Sequence, residues 1–171
     1  MSVDQSVINF SVYEDANDFL GMASATLPNL DALTQSISGA GIAGNVEAVI
    51  IGHLNAMTTQ LSFRTFSEGS VKLSEPREHH IDLRVAQQVF DQVSGTHKVQ
   101  SVKHVLVLFP KAESNGKVAP ASPSDGSGDF ATRLWRTYID GKLVREVDQY
   151  NFIYMVNGVD YLADVRKALG R

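Results

Sequence analysis

The chain has no cysteine among its 171 residues. That absence removes disulfide frameworks, thiol catalysis, thiolate-held iron–sulfur centres and cysteine zinc sites together. It leaves the redox compartment open, since a chain without thiols is indifferent to it. Long apolar runs are also missing. The most apolar windows, Val46 to Leu54 and Val102 to Phe109, fall well short of the roughly 20 residues a membrane helix needs. The opening Met1-Ser2-Val3-Asp4-Gln5-Ser6 lacks a basic region and a sustained apolar core, so no signal peptide is expected. Basic surplus is missing too. A formal net charge of -4 gives no general affinity for nucleic-acid backbones. Hydrophobic residues at 43% and charged residues at 20% are near ordinary globular usage. The length fits a single domain spanning 1–171 with a real hydrophobic core, and a soluble protein made in the cytoplasm is the expectation.

What is present is turn chemistry between strand-like runs. Asp140-Gly141 separates Arg133 to Ile139 from Leu143 to Val147, and Asn157-Gly158 separates Phe152 to Val156 from Val159 to Tyr161. Both pairs tolerate the positive φ that a two-residue hairpin requires. Val7 to Tyr13, Thr59 to Phe66 and Ile81 to Val85 alternate as strands, and Phe19 to Leu27 can return as a partner of the first. Gln87 to Phe90 suits sheet or a short helix. Lys98 to Phe109 reads as a strand half-exposed at its start and covered on both sides at its end. Leu30 to Gly44 and residues 111 to 130 are expected to be long loops, the first glycine-rich, the second rich in Pro, Ser and Gly. Tyr161, Leu162, Val165, Ala168 and Leu169 recur at helical spacing, which predicts a helix packing Leu162, Val165 and Leu169 on the subunit's own sheet.

No set of residues adds up to a reaction centre. Gly39-Ala40-Gly41-Ile42-Ala43-Gly44 matches G-x-G-x-x-G in letters. A dinucleotide site would need a buried parallel strand before it and a helix opening within it, and neither is expected here. Two readings stay open: the small residues let backbone pass close to another element or another subunit, or they only confer flexibility. His53, His79, His80, His97 and His104 show no i,i+4 pair for zinc; His80 reads as a polar-face residue and His104 as a hydrogen-bonded structural one. Glu146 and Asp148 share a strand face with Lys142 and Val144, an ordinary wetted surface with no cleft for a glycosidase pair. No serine sits in a hydrolase elbow. The expectation is therefore no enzyme, no metal and no cofactor.

Several blocks carry a resemblance. They are Gly39-Ala40-Gly41-Ile42-Ala43-Gly44-Asn45-Val46-Glu47, Gly52-His53-Leu54 with Met57, Leu61-Ser62-Phe63-Arg64-Thr65, Asp140-Gly141-Lys142, Asp148-Gln149-Tyr150-Asn151-Phe152, and Val156 through Arg166. Through them the chain resembles the major tail tube protein of P2-like contractile-tailed phages and R-type bacteriocins. The resemblance implies a mainly β, α+β fold, an antiparallel β-sandwich or barrel-like pair of sheets with a flanking helix. It also implies sheets joined between subunits into a homohexameric ring, with rings stacked helically inside a tail sheath. Baseplate and tail-terminator proteins would close the ends, and a tape measure protein or transiting DNA would occupy the lumen. The place would be a virion tail or an extracellular bacteriocin particle assembled in the bacterial cytoplasm. Gly39, Gly41, Gly44 and Asn45 are the expected inter-subunit contacts. The alternatives are a type VI secretion-like tube or effector-carrier ring and, from a different class, a small β-rich enzyme or binding domain.

Overall fold

The computed structural model describes residues 1–15, 18–19, 21–22 and 24–171, without the side chains of 18 and 19. Among the described residues, twelve strands and two short helices follow one another in chain order. They are β1 (Ser2–Glu14), β2 (Asp18–Phe19), β3 (Ser24–Thr26), β4 (Ala32–Ile37), β5 (Val46–Leu54), β6 (Met57–Phe63), α1 (Glu68–Lys72), β7 (His79–Asp91), β8 (Thr96–Ser114), β9 (Gly126–Ile139), β10 (Lys142–Asp148), β11 (Ile153–Val156), β12 (Val159–Asp160) and α2 (Ala163–Ala168). Every pairing is antiparallel, including the small hairpin of β4 and β5, which stands apart from the main sheet.

The main sheet runs β12-β11-β10-β9-β8-β7-β1-β2 and branches at β9. One edge of β9 lies along β8, while its other edge pairs with β6 over Gly126–Thr132 and with β10 over Leu134–Ile139. This division bends the sheet over itself. Leu61 and Phe63 of β6 thereby meet Val12, Ile81, Leu83, Leu106 and Leu108 in one buried cluster, closed by Leu73, Phe130 and Trp135. Ala25, Leu27 and Leu30 pack against it from the β3 side. The outcome is sandwich-like packing without barrel closure, since among the described residues the strand path still ends at β12 and β2.

Local sequence accounts for the hairpins. Asp140 and Gly141 have φ of 48° and 79°, and Asn157 and Gly158 have 50° and 84°. Both are turns in the left-handed region that Asp/Asn-Gly pairs enter cheaply. The β7–β8 turn is closed by the Gly95 N–H donating to the Asp91 carbonyl at 2.8 Å, with Lys98 on the Asp91 carboxylate at 2.6 Å. That ion pair and the Val93 N–H hold Asp91 down at about 2.

Several expectations are corrected. Leu30 to Gly44 is not one long loop: Ala32–Ile37 is a strand, and only 38–45 remain as the turn. Its period was hidden because nearly every residue of β4 is exposed, so no core face imposed alternation on composition. Likewise the loop expected over 111–130 shrinks to 115–125, because β8 continues to Ser114 and β9 begins at Gly126. The proline within β8, Pro110, lies at the irregularity between Pro110 and Ala112, where a missing N–H is tolerated. Gln87 to Phe90 is sheet, paired with β1 on one side and β8 on the other. The partner expected over Phe19 to Leu27 is split: Phe19 pairs β1, Ser24–Thr26 pair β6, and Leu20 and Ala23 lie outside the described residues. Helix α1 was not expected. Ser67 caps it, accepting from the Ser70 N–H while Ser70 Oγ accepts from the Ser67 N–H.

The terminal helix is also corrected. Leu162 is buried, but Val165 and Leu169 are exposed at 37% and 57%. The helix spans only 163–168, so it is too short to lay a second turn onto the sheet. Its apolar stripe faces outward.

Two buried titratable groups set a pH dependence. His104 Nδ1 accepts the Trp135 indole N–H at 3.3 Å, and its unprotonated face can likewise only accept from the Thr137 hydroxyl, 3.1 Å away. Burial, helped by the Arg145 charge, pushes it down from 6.5 to about 4. The fold therefore refuses a proton that the unfolded chain takes up. Its contribution is complete above the unfolded value and is lost progressively as pH falls from about 6.5 to about 4. Glu14 follows at lower pH. Burial raises it, but the His79 hydrogen bond and the charges of His79, Lys72 and Arg77 outweigh that and hold it below 4.5. Urea unfolding midpoints are expected to fall in two stages on acidification, and His104→Asn should remove the earlier stage alone. A flat midpoint between about pH 6.5 and 4.5 would contradict the assignment.

Candidate assembly surfaces

The residues singled out by sequence, Gly39, Gly41, Gly44 and Asn45, all lie in the turn of the β4–β5 arm. The turn is held by the Ile42 N–H donating to the Gly39 carbonyl at 3.1 Å and the Gly44 N–H to the Ile42 carbonyl at 3.0 Å. Gly41 and Gly44 have φ of 87° and 112°, and a Cβ at either would meet nothing within 4 Å. No neighbour within the subunit requires these small residues. Among the described residues, close approach to another element of the same chain therefore does not explain them; approach to another subunit and simple flexibility both stay open.

The arm is apolar and exposed. Leu33, Ile37, Ile42, Val46, Val49, Ile50 and Ile51 are between 37% and 69% accessible. Soluble monomers seldom leave contiguous apolar surface of this kind uncovered. The arm's root is fixed where β5 bulges: Ala32 pairs Leu54 but Thr34 pairs Val49, so extra residues of β5 loop out around Gly52. Gly52 has φ of 65°, and the Leu162 side chain occupies the place where a Cβ would stand. The Asn55 N–H donates to the Asp31 carbonyl at 2.8 Å, and Gln149 Nε2 donates to the Asn55 carbonyl at 3.2 Å. Between root and helix lies an open cleft of about 400 Å³, lined by Ile51, Gly52, Phe152, Ile153, Leu162 and Val165 among others. Arg166 steadies the helix side, donating to the Phe152 carbonyl and to Asp160, each at 2.6 Å. That hydrogen bond is the chief reason the Asp160 carboxyl sits below its ordinary range.

Gly52→Ala is expected to displace Leu162 or swing the arm, costing about 1–3 kcal/mol as overpacking and a positive-φ side chain combine. Urea unfolding measures the loss, and a variant as stable as the parent would show that the contact is not tight.

A second surface is the ribbon that β1, β7 and β8 form beyond the core. Ser2 to Ile8 are all exposed, and Val3, Val7, Ile8, Val93 and Val99 stand open at 42% or more. Among the described residues, β2 covers the outer edge of β1 only at Tyr13 and Glu14. Along the rest of that edge no strand is paired to β1 among the described residues, the kind of edge proteins normally cover or blunt.

The remaining histidines are scattered. His80 is exposed, as read from sequence; His97 stacks on Phe90 at 5.1 Å; His104 is the structural residue expected. His79 was missed: it is fully buried against Glu14. Neighbouring histidines that alternate across a strand conceal such a residue, because only the fold tells which of the pair points inward. Among the described residues no group of three or more His, Asp and Glu gathers as a metal site. Glu146 is paired with Arg136 at 2.9 Å, and Asp148 accepts the N–H groups of Tyr150 and Asn151, so both carboxylates are structural. The G-x-G-x-x-G letters open no helix and follow no parallel strand.

The described residues thus form a bent antiparallel sheet that carries an apolar arm and a strand edge without a paired strand. The family model of phage tail tube protein FII matches residues 4–170, and the chain belongs to that family of non-enzymatic tail components. No curated protein matches the sequence. Among solved structures, a chain of the sheath–tube complex of the extracellular contractile injection system PVC, in its extended state, aligns with a TM-score of 0.54 at 11% identity, covering 76% of this chain and 88% of that one. A chain of the same system's sheath/tube terminator gives 0.51 at 10%, covering 77% and 94%. A chain of the anti-feeding prophage cap, its tube-terminating cap, gives 0.51 at 15%, covering 76% and 86%. These likenesses show a shared fold.

Proposed function

We propose that the protein is the inner-tube subunit of a contractile phage tail or phage-tail-like bacteriocin, forming hexameric rings that stack into a hollow tube inside a sheath. The observation that carries this is the apolar β4–β5 arm, which the other described residues of the subunit leave exposed while the chain belongs to a tail-tube family. In a closed ring the free edge of β1 gains a partner from the neighbouring subunit's sheet, and a cyclic operator leaves no edge over. Arm-to-ring contacts are heterologous and do not close, so they extend without limit along the axis. Gly39, Gly41, Gly44 and Asn45 are the inter-subunit contact in this reading. Sheath, baseplate and terminator proteins are its partners, with a tape measure protein or DNA in the lumen.

A wall that conducts DNA works better when it repels phosphate weakly than when it binds it. Channel-facing sheet residues are therefore expected to be polar with few unpaired Lys or Arg; a lumen strongly positive along its length in the assembled tube would contradict this. Negative-stain electron microscopy of the purified protein tests the class. Hollow tubes of uniform width are expected, and a protein that stays monomeric at high concentration and low salt would overturn the reading.

A further inference from the structure

The end of the core opposite the arm holds a buried cluster that tube-building does not use. Glu14, at the end of β1, and His79, at the start of β7, are both completely buried. His79 Nδ1 lies 2.5 Å from Glu14 Oε1, and its Nε2 lies 3.0 Å from the Glu75 carbonyl oxygen. A carbonyl can only accept, so Nε2 must carry a proton. Glu14 already accepts from Arg77 Nη2 on Oε1 at 2.9 Å and faces Lys72 Nζ on Oε2 at 3.4 Å. Those cations hold it as a carboxylate, which is also only an acceptor, so Nδ1 must carry a proton as well.

We propose that His79 donates from both ring nitrogens, as the doubly protonated imidazolium, and that this ion clasps the 67–78 segment to the sheet. One ring nitrogen binds the strand β1 and the other binds the segment's backbone, so the ring bridges two parts of the fold that share no strand pairing. Removing one proton leaves a nitrogen lone pair against a carboxylate or a carbonyl oxygen, an acceptor facing an acceptor in a buried site. The groups facing the ring are Glu14 from β1, Lys72 of α1, and Glu75 and Arg77 of the segment that follows it; its partner across β8 is the apolar Leu108. The segment is worth holding. Leu73, 1% exposed, closes the hydrophobic core from this side, while Phe66 and Val71 stand out from the surface at 60% and 52%. The clasp thus places an outward-facing apolar pair by means of one proton, independently of whether the tube reading holds.

Nuclear magnetic resonance of the uniformly ¹⁵N-labelled full chain, kept unassembled by dilution, tests this. Both imidazole nitrogens of His79 are expected to show attached protons at neutral pH. In His79→Gln, which cannot donate to both acceptors from one planar ring, the amides of Val71 and Leu73 should exchange faster by on the order of tenfold relative to those of Leu106 and Val107, which is what leaving one buried polar group unpaired amounts to. A single protonated ring nitrogen in the wild type, or segment protection in the variant equal to the parent's, would overturn the proposal. The wild-type nitrogen spectrum decides this even where the variant fails to fold.

Discussion

Truncating Leu61 to Ala is expected to lower the unfolding free energy of the isolated subunit by about 2–5 kcal/mol. Leu61 is fully buried on β6, paired across to Ala25 on one side and Gly128 on the other. Neither partner has a side chain that could swing into the space. The Phe130 ring lies 2.8 Å from where a Cβ on Gly128 would stand, so Gly128 leaves the room that the ring fills beside Leu61 in the core. A loss of this size is a large share of the roughly 5–15 kcal/mol that a domain possesses. Urea unfolding of unassembled protein measures it. A change under about 1 kcal/mol would mean that β6 is not the keystone between the two halves of the bent sheet.

The arm behaves in the opposite sense. Gly41→Leu is expected to leave a soluble, folded monomer and to suppress tube formation. Nothing lies within 4 Å of a Cβ added at Gly41, and the φ of 87° confines the strain to the turn at about 1–2 kcal/mol. Because strain alone might be blamed, Ile42→Asp serves as the companion: Ile42 is outside the left-handed region, is 39% exposed, and would carry a charge into the proposed contact. Both variants should match the parent in urea midpoint to within the strain term while failing to pellet as tubes. Normal tube length and yield from the pair would remove the contact role from Gly39, Gly41, Gly44 and Asn45.

The sequence announces those parts of the fold whose cause is local. Asp140-Gly141 and Asn157-Gly158 turn where their φ preference says they must, and β8 shows Leu106 to Leu108 covered on both faces, as its unbroken apolar run implies. What stays hidden is what depends on distant partners. β4 alternates Leu33, Gln35 and Ile37, but on a strand with two exposed faces that pattern carries little weight against Gly and Ser nearby. Val165 and Leu169 have the spacing of a buried stripe and yet face outward, because spacing tells which residues share a face and not what covers it. For a subunit built to be covered by its neighbours, that distinction decides the reading. His79 and Glu14 are 65 positions apart, and only the β1–β7 pairing brings them together. The glycine turn was legible as a place where side chains are kept small; its position at the tip of an uncovered arm was not.

The central claim is that the arm and the β1 edge are covered by neighbouring copies in a closed sixfold ring that stacks without end. Helical image reconstruction of tubes grown from the purified protein tests it most directly. The account predicts sixfold rings around an open channel, with density of the 38–45 turn against an adjacent subunit and the outer edge of β1 paired to a neighbour's strand. Tubes of another symmetry, or sixfold tubes whose 38–45 turn projects into solvent, would contradict it.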